Sequence, residues 1–535
     1  MSSNIKYLLF LLGLLGAVAI FMLMSGHLFL SEHVGDTLHV LEASLRMADG
    51  ELPHLDFMTP IGILALAPMA AFLKLGFGPG QSLILANICF ALLILPATYW
   101  VGVQKFTGAT RLFFGAVIMI FSLAFIYGGL DFETSFAMHY NRWAWAISFL
   151  LLAVVLLPNV QNDRNDLSDA VIIGGGLSVL VLMKMTYFLA FGGASLLILL
   201  LSRRFRLVLY IAAIGLVVLV FTTLLLGVDF WLAYAGNLIE LTTGTIRQYP
   251  AAPLLSTLTD PDRVIGVAIL LVTIVVFRNS QFKDLGTGLL ILFPAFIYVS
   301  YQNYGNDPKW LFVVVYCLLA LAPKIAGEKI LKVDLRMVGT GAIVAALTIF
   351  VPVLLTMSSS IVSAASSGND TSVALPFHQL ENDIWLTSGP VTAKLVYDLP
   401  DDVESFDGDD NLNLDDQVVD GKLLPKCEWL GDYIGYIEAH RDFLENYPEV
   451  TNQPLLAAVH VNINWMFHPV ARLKDGAPWY YGDLSGFDDA KYYLVPTCPL
   501  SLDIRGESLK SMQATGWGLR MVGEDDDFRL FEIIR

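Results

Sequence analysis

Long blocks of apolar residues, broken by short polar segments, fill the first two-thirds of the 535-residue chain. They fall at 7–24, 82–103, 112–129, 143–158, 168–183, 185–201, 207–227, 264–277, 285–301, 309–323 and 337–357, eleven in all. Blocks of this length and purity predict membrane helices. A further block at 61–76 is too short: at about 1.5 Å per residue it reaches about 24 Å, against a hydrocarbon core of about 30 Å. The first block follows Lys6, as a signal peptide's would, but Ser25-Gly26-His27-Leu28 leads into more apolar residues without a small-x-small cleavage site. It is read as a retained first helix.

Basic residues decide what 61–76 does. If it does not cross, Lys105/Arg111, Arg203/Arg204/Arg206, Arg278/Lys283 and Lys324/Lys329/Lys332/Arg336 all fall on the inner side. If it crosses, every one of those clusters faces out. The segment is therefore expected to be re-entrant or peripheral on the outer side. Eleven crossings from an inner N-terminus then place residues 358–535 outside the cytoplasmic membrane.

Composition agrees with a polytopic membrane protein: 56 % of residues are hydrophobic and 15 % charged, against about 25 % charged in soluble domains. The net charge of −17 is unevenly placed. Residues 1–357 carry 20 Lys/Arg and 19 Asp/Glu, whereas 358–535 carry 12 and 30. The expected fold is thus a mostly α membrane bundle (1–357) with an acidic, soluble α/β domain (358–535). So acidic a domain excludes nucleic acid as a partner and does not suit an anionic membrane surface. Within it, 454–461, 491–496 and 528–534 read as strands and Tyr433–Tyr447 as a helix. The acid-rich stretch 398–420 lacks the Gly and Glu of a calcium loop and reads as solvated. Cys427 and Cys498 can pair if the domain is extracytoplasmic.

The outer loops (31–60, 130–142, 228–263 and 302–308) hold the candidate chemistry. In Glu32–Met47, Val34, Leu38, Leu41 and Leu45 form one apolar stripe, and Glu42 and Arg46 an i,i+4 pair on the opposite side. This predicts an amphipathic helix lying on the outer membrane surface with its charged side in water. Asp36 sits at its start. There it serves either as a base tuned by partial desolvation or as a helix cap. His33, Asp36 and His39 span a wide arc of one face, so surface histidines suit them better than one small metal ion. Asp131 and Glu133, one residue apart, can hold a divalent cation or simply face water. Arg142 offers a bidentate fork to a phosphate, or an interfacial anchor beside Trp143 and Trp145. Lys184 splits two apolar blocks, where it can snorkel or meet an anionic lipid headgroup. Asp56, Arg247, Asn306 and Asp307 are further candidate substrate contacts. No Ser-His-Asp, CxxC or P-loop pattern is present.

Four stretches resemble the GT-C superfold of membrane glycosyltransferases, in the family 39-like branch of aminoarabinose transferases and protein O-mannosyltransferases. One is Asp36 with the amphipathic helix and Gly50-Glu51-Leu52-Pro53-His54-Leu55-Asp56-Phe57. The second is Pro60-Ile61-Gly62 opening the short block that Leu75-Gly76-Phe77-Gly78 closes. The others are Gln104-Lys105-Phe106-Thr107-Gly108 and Leu182-Met183-Lys184-Met185-Thr186 leading to Arg203-Arg204. The likeness covers about residues 5–205, and the later helices in layout. It implies transfer of a sugar from a polyprenyl-phosphate carrier to a lipid or glycan acceptor in the cell envelope, with Asp36 as base. The chain departs from many relatives in having Thr37 where Glu follows the aspartate, and it lacks a Trp-Trp-Asp motif.

Chemistry supports the same reading independently. A sugar phosphate carries a good leaving group, so transfer needs a base for the acceptor and positive charge for the departing phosphate. Asp36 with Arg142, Lys184 or Arg247 supplies both. Two other classes remain: a transporter or lipid flippase, and a non-catalytic envelope scaffold. Transporters usually place ionisable groups at mid-membrane and carry repeats, whereas these carboxylates lie in outer loops.

Overall fold

The computed structural model describes residues 2–129, 133–161, 165–243, 253–303, 308–330, 332–366, 372–387, 396–398, 416–430, 433–482 and 484–535. In chain order the helices before the soluble domain are α1 (Ser3–Ser25), α2 (Val34–Ala48), α3 (Ile63–Lys74), α4 (Pro79–Lys105), α5 (Gly108–Leu123), α6 (His139–Leu156), α7 (Asp166–Met183) and α8 (Met185–Leu201). There follow α9 (Phe205–Leu226), α10 (Val228–Thr243), α11 (Leu254–Thr259), α12 (Pro261–Arg278), α13 (Lys283–Gln302), α14 (Leu311–Leu321) and α15 (Leu335–Ala365).

Each of the eleven apolar blocks contains a helix, α1, α4 to α9 and α12 to α15, although the block 112–129 is helical only as far as Leu123. Six of them, α1, α4, α7, α9, α13 and α15, are long and apolar enough to cross a membrane, and α5, α8 and α14 are shorter apolar helices. The chain is a polytopic membrane protein. The last helix runs on to Ala365, beyond the end of its apolar block at 357. The segment 228–263, read as loop, contains α10 and α11.

Side-chain contacts sort the helix ends. At one end Arg111 reaches Asn4 (2.9 Å), Lys105 donates to Asn159 (2.7 Å), and Arg204 pairs with Asp166 (3.0 Å) and Asp169 (2.7 Å). At the opposite end the amide of Thr134 donates to Ser31 (2.9 Å), and that of Phe125 donates to Ser360 (2.9 Å). Both ends of α3 lie at this second end. Its N-cap Gly62 donates to the carbonyl of Met183, and the α4 start just beyond it donates to Asp383 through Gly80 (2.7 Å) and Gln81 (2.9 Å). At 12 residues, α3 spans about 18 Å. It enters and leaves on one side without crossing.

The expected amphipathic helix is α2, but its surroundings differ from the expectation. Leu38, Leu41 and Leu45 are buried as the stripe requires, yet Glu42 and Arg46 are buried too, in an unbroken run from Thr37 to Arg46. The supposed solvated side is covered by the C-terminal domain. Arg46 bonds Glu42 (2.7 Å), Glu51 (3.0 Å) and the carbonyl of Leu473 (3.0 Å), while Arg472 pairs with Asp49 (2.8 Å) and Glu51 (3.4 Å). Burial pushes the Glu42 carboxyl up, and Arg46 and Arg472 oppose it. A charge pair this deep needs its partners, because removing one strands the other.

In the C-terminal domain a four-stranded sheet runs Leu455–Ala457, Tyr492–Pro496, Phe528–Ile534, Gly518–Glu524; the first pair is parallel and the rest antiparallel. The strands expected at 491–496 and 528–534 and the expected helix, α16 (Tyr433–Glu445), are present, whereas of 454–461 only Leu455–Ala457 is a strand. The last strand of the sheet, α17 (Asn464–Phe467) and α18 (Leu502–Ala514) were not expected. Cys427 and Cys498 form a disulfide. Most of 398–420 lies outside the described residues. A strand just after α1, Leu28–Leu30, pairs in parallel with Ile384–Thr387, which ties the first outer loop to the segment following α15.

Candidate active site

Asp36 is the third residue of α2 and is half-buried. His33 occupies the N-cap with no side-chain cap bond, so Asp36 is not the cap residue, although its carboxylate lies where the helix dipole favours negative charge. The outer segment before α6 packs beside it: the amide of Phe136 donates to Thr37 (3.3 Å), and Thr134 meets Ser31. From the other side α16 brings Tyr433. A Cβ on Gly35 would stand 3.4 Å from the Tyr433 ring. Burial raises the Tyr433 hydroxyl pKa, and the charge of Asp36 raises it further. Asp36 therefore sits at the seam between bundle and soluble domain.

Lys184 breaks the chain between α7 and α8 in an extended conformation, and its ammonium stands 4.8 Å over the ring of Tyr140, the second residue of α6. Such a contact holds a lysine without neutralising it. Next to it is a group that the sequence reading missed. Trp145 packs edge-on to Tyr187 (5.3 Å) and donates to the hydroxyl of Tyr127 (3.3 Å). Asn303 donates to Tyr187 (2.9 Å), and the buried Lys309 lies 3.8 Å over the Tyr127 ring. Lys309, like Lys184, is a lone cation at the edge of an apolar block. That shared pattern was the available signal.

Arg142 lies within the first turns of α6, which starts at His139, four residues ahead of the expected start. It is fully buried, donates through Nη1 to the carbonyl of Ala124, and its Nε and Nη2 have no partner among the described residues. Asp56 is exposed and accepts the Leu52 amide (2.6 Å), organising its turn. Nearby, His54 donates to Asn237 (3.0 Å) and stacks on Tyr234 (4.4 Å); burial lowers its pKa to about 4. Glu133 is half-buried beside Thr134. Asp131, Arg247, Asn306 and Asp307 lie outside the described residues. His39 turns to Tyr481 (3.2 Å) and Trp479, away from the exposed His33. Among the described residues no three metal-binding side chains converge.

An apolar groove of about 240 Å³ opens between α7, α8, α9 and α10. Gly174 and Gly215 line it, and Val181, Leu182 and Phe188 close its end on either side of Lys184. Lys184 thus lies in the chain between residues that line one end of this groove, with its ammonium over Tyr140, and the half-buried carboxylate of Asp36 lies in the loop layer above the same bundle end.

The fold is similar to that of the crystal structure of ArnT from Cupriavidus metallidurans bound to undecaprenyl phosphate. The match covers 99 % of this chain and 98 % of that one at 10 % identity, with a TM-score of 0.44. No protein-family model matches the sequence. No curated protein matches it either.

Proposed function

We propose that the protein is a glycosyltransferase that moves a sugar from a polyprenyl-phosphate carrier to a cell-envelope acceptor at the outer face of the cytoplasmic membrane. In this reading residues 1–357 form the membrane domain, and 358–535 an extracytoplasmic domain. The Cys427–Cys498 disulfide supports that side, since disulfides persist in oxidising compartments.

The observation that carries the proposal is an apolar groove whose lining residues Val181, Leu182 and Phe188 flank Lys184 in the chain. An ionic headgroup and a hydrocarbon tail need adjacent places of these two kinds. The carrier phosphate meets Lys184, with Arg142 and Lys309 adding positive charge nearby, and the tail lies along α7 and α9. Asp36 takes the proton from the acceptor hydroxyl or amine as its heteroatom bonds to the anomeric carbon. The bond from that carbon to the phosphate oxygen breaks, and the electron pair leaves with the polyprenyl phosphate. The basic residues stabilise the charge that develops on the phosphate.

Native mass spectrometry of the purified protein tests the lipid. Co-bound polyprenyl phosphate is expected in the wild type, with occupancy at least tenfold lower in Lys184→Ala. Equal occupancy in the two proteins would remove Lys184 from the headgroup site, and absence of the lipid from the wild type would remove the function.

A further inference from the structure

The end of the bundle remote from the soluble domain carries a feature that sugar transfer does not use. There α14 passes through a short 3-10 turn, Ala322–Ile325, into a two-stranded hairpin, Lys329–Ile330 with Val333–Asp334, and then into α15. The 31 residues of α15 put about 45 Å between this hairpin and the soluble domain. A small core of its own fixes the connection. Ile325 and Leu335 bury against Val276 of α12, and Phe282, Ile330 and Val338 pack around them. Gln281, between α12 and α13, adds two bonds: its amide nitrogen donates to Glu328 (3.0 Å) and its side chain to the carbonyl of Lys324 (2.9 Å). Two chain connections thus form one platform.

Six cations stand on it: Arg278, Lys283, Lys324, Lys329, Lys332 and Arg336, every one exposed. The three carboxylates of the same connections are engaged with backbone. Asp334 accepts the amides of Gly327 (3.1 Å) and Arg336 (2.8 Å), and Glu328 accepts that of Gln281. Asp284 lies in the first turn of α13, where the helix dipole favours it. None of the six cations forms an ion pair among the described residues, whereas Arg204 at the same end is held by Asp166 and Asp169. Like charges gathered on one platform repel, and an anion bound among them relieves the repulsion.

Apolar neighbours select the kind of anion. Val333 follows Lys332 and Met337 follows Arg336, and both apolar side chains are exposed. Met337, Val344 and Val351 recur every seven residues, so they form one exposed stripe that leads away from the platform along α15. Long basic side chains at such a boundary keep their stems on hydrocarbon and their charges at headgroup level. A soluble anion would meet the cations and leave the stripe uncovered. A lipid with a phosphate and acyl chains uses both. We propose that this platform binds the headgroup of an anionic phospholipid, with its phosphate among the lysines of the hairpin and its acyl chains along the stripe of α15. The site stands apart from the groove of α7 and α9 and does not depend on the glycosyltransferase reading.

The test is native mass spectrometry of the full chain in detergent, with phosphatidylglycerol or phosphatidylcholine added at equal concentration. Wild type is expected to retain phosphatidylglycerol at least tenfold more than phosphatidylcholine. The combination Lys324→Gln, Lys329→Gln and Lys332→Gln is expected to abolish that preference, and Lys324→Arg, Lys329→Arg and Lys332→Arg together to keep it. As a control, Lys6→Gln, Arg203→Gln and Arg206→Gln remove three exposed cations elsewhere at the same end and are expected to leave the preference unchanged. Equal retention of the two lipids by wild type would overturn the site. So would an intact preference in the glutamine variant, its loss in the arginine variant, or an equal loss in the control.

Discussion

Asp36 and His440 show how burial sets what a single titratable side chain can do. Asp36 is half-buried between α2, the segment 134–137 and Tyr433, and His33 rather than Asp36 holds the N-cap. Asp36→Asn keeps size and an oxygen acceptor, so the fold is expected to survive with a change of about 1 kcal/mol or less. A general base is worth roughly 10²–10⁴-fold in rate, and sugar transfer from a purified polyprenyl donor is expected to fall by that factor. Near-normal transfer in the variant would assign Asp36 to the helix alone. His440 is fully buried, and burial lowers its pKa to about 4, with Asn464 opposing. The unfolded imidazole titrates near 6.5, so the unfolded chain binds more protons between pH 6.5 and 4. Stability from the neutral ring is complete above pH 6.5 and is lost as pH falls towards 4, by about 2 kcal/mol at pH 5. Thermal melts at pH 7 and pH 5 are expected to differ less in His440→Gln than in the wild type; an equal difference would place the acid sensitivity elsewhere. Asp36 was legible in the sequence because a carboxylate directly after a membrane helix is conspicuous. Lys309 was not, because only the folded bundle brings it over Tyr127.

Helices were legible wherever hydropathy alone builds them. All eleven apolar blocks contain helices, and α3 was separated from the crossing helices by length and by the distribution of basic loops. What failed was the environment of α2. Glu42 and Arg46 look solvated in a local pattern, but the partners that bury them, Arg472 and Leu473, lie more than four hundred residues away. No window of periodicity reaches that far. The contact between α3 and the α7–α8 turn gives a prediction at this scale. A Cβ at Gly62 would stand 2.2 Å from the Leu182 carbonyl oxygen and 2.8 Å from the Met183 nitrogen. Both are backbone atoms, so Gly62→Ala must shift the turn that carries Lys184. Displacement of a binding group by about 1 Å can cost about 10²-fold in rate. Transfer is expected to fall by about that much while donor occupancy weakens, and Gly13→Ala, where nothing lies within 4 Å, is expected to change neither. Unaltered transfer in Gly62→Ala would mean that the turn's position is unimportant.

The whole molecule depends on two structures meeting at one membrane face. The soluble domain is fastened to α2 by Arg46, Arg472 and Glu51, and to the end of α1 by the pairing of Leu28–Leu30 with Ile384–Thr387. Asp36 lies in the stretch of chain between those two attachments. The domain and the outer ends of the helices must therefore share a compartment, and the side of the membrane becomes a single question. The proposed outer placement is supported by the charge of the basic loops and by the redox chemistry of Cys427–Cys498. Linking cysteines 71 residues apart restricts the unfolded chain by about 4 kcal/mol in the loop-entropy account. Two measurements separate the possibilities. A reporter active only in the cytoplasm, fused after Arg535, is expected to be silent. In intact spheroplasts a membrane-impermeant maleimide is expected to label Cys427 and Cys498 only after treatment with an impermeant reductant, with Cys89→Ser and Cys317→Ser removing the thiols of α4 and α14 from the readout. An active fusion with no labelling would put the domain inside. Asp36 would then face the cytoplasm with it, because the strand at Leu28–Leu30 binds both to the same side, and an outer-leaflet carrier would no longer reach the base.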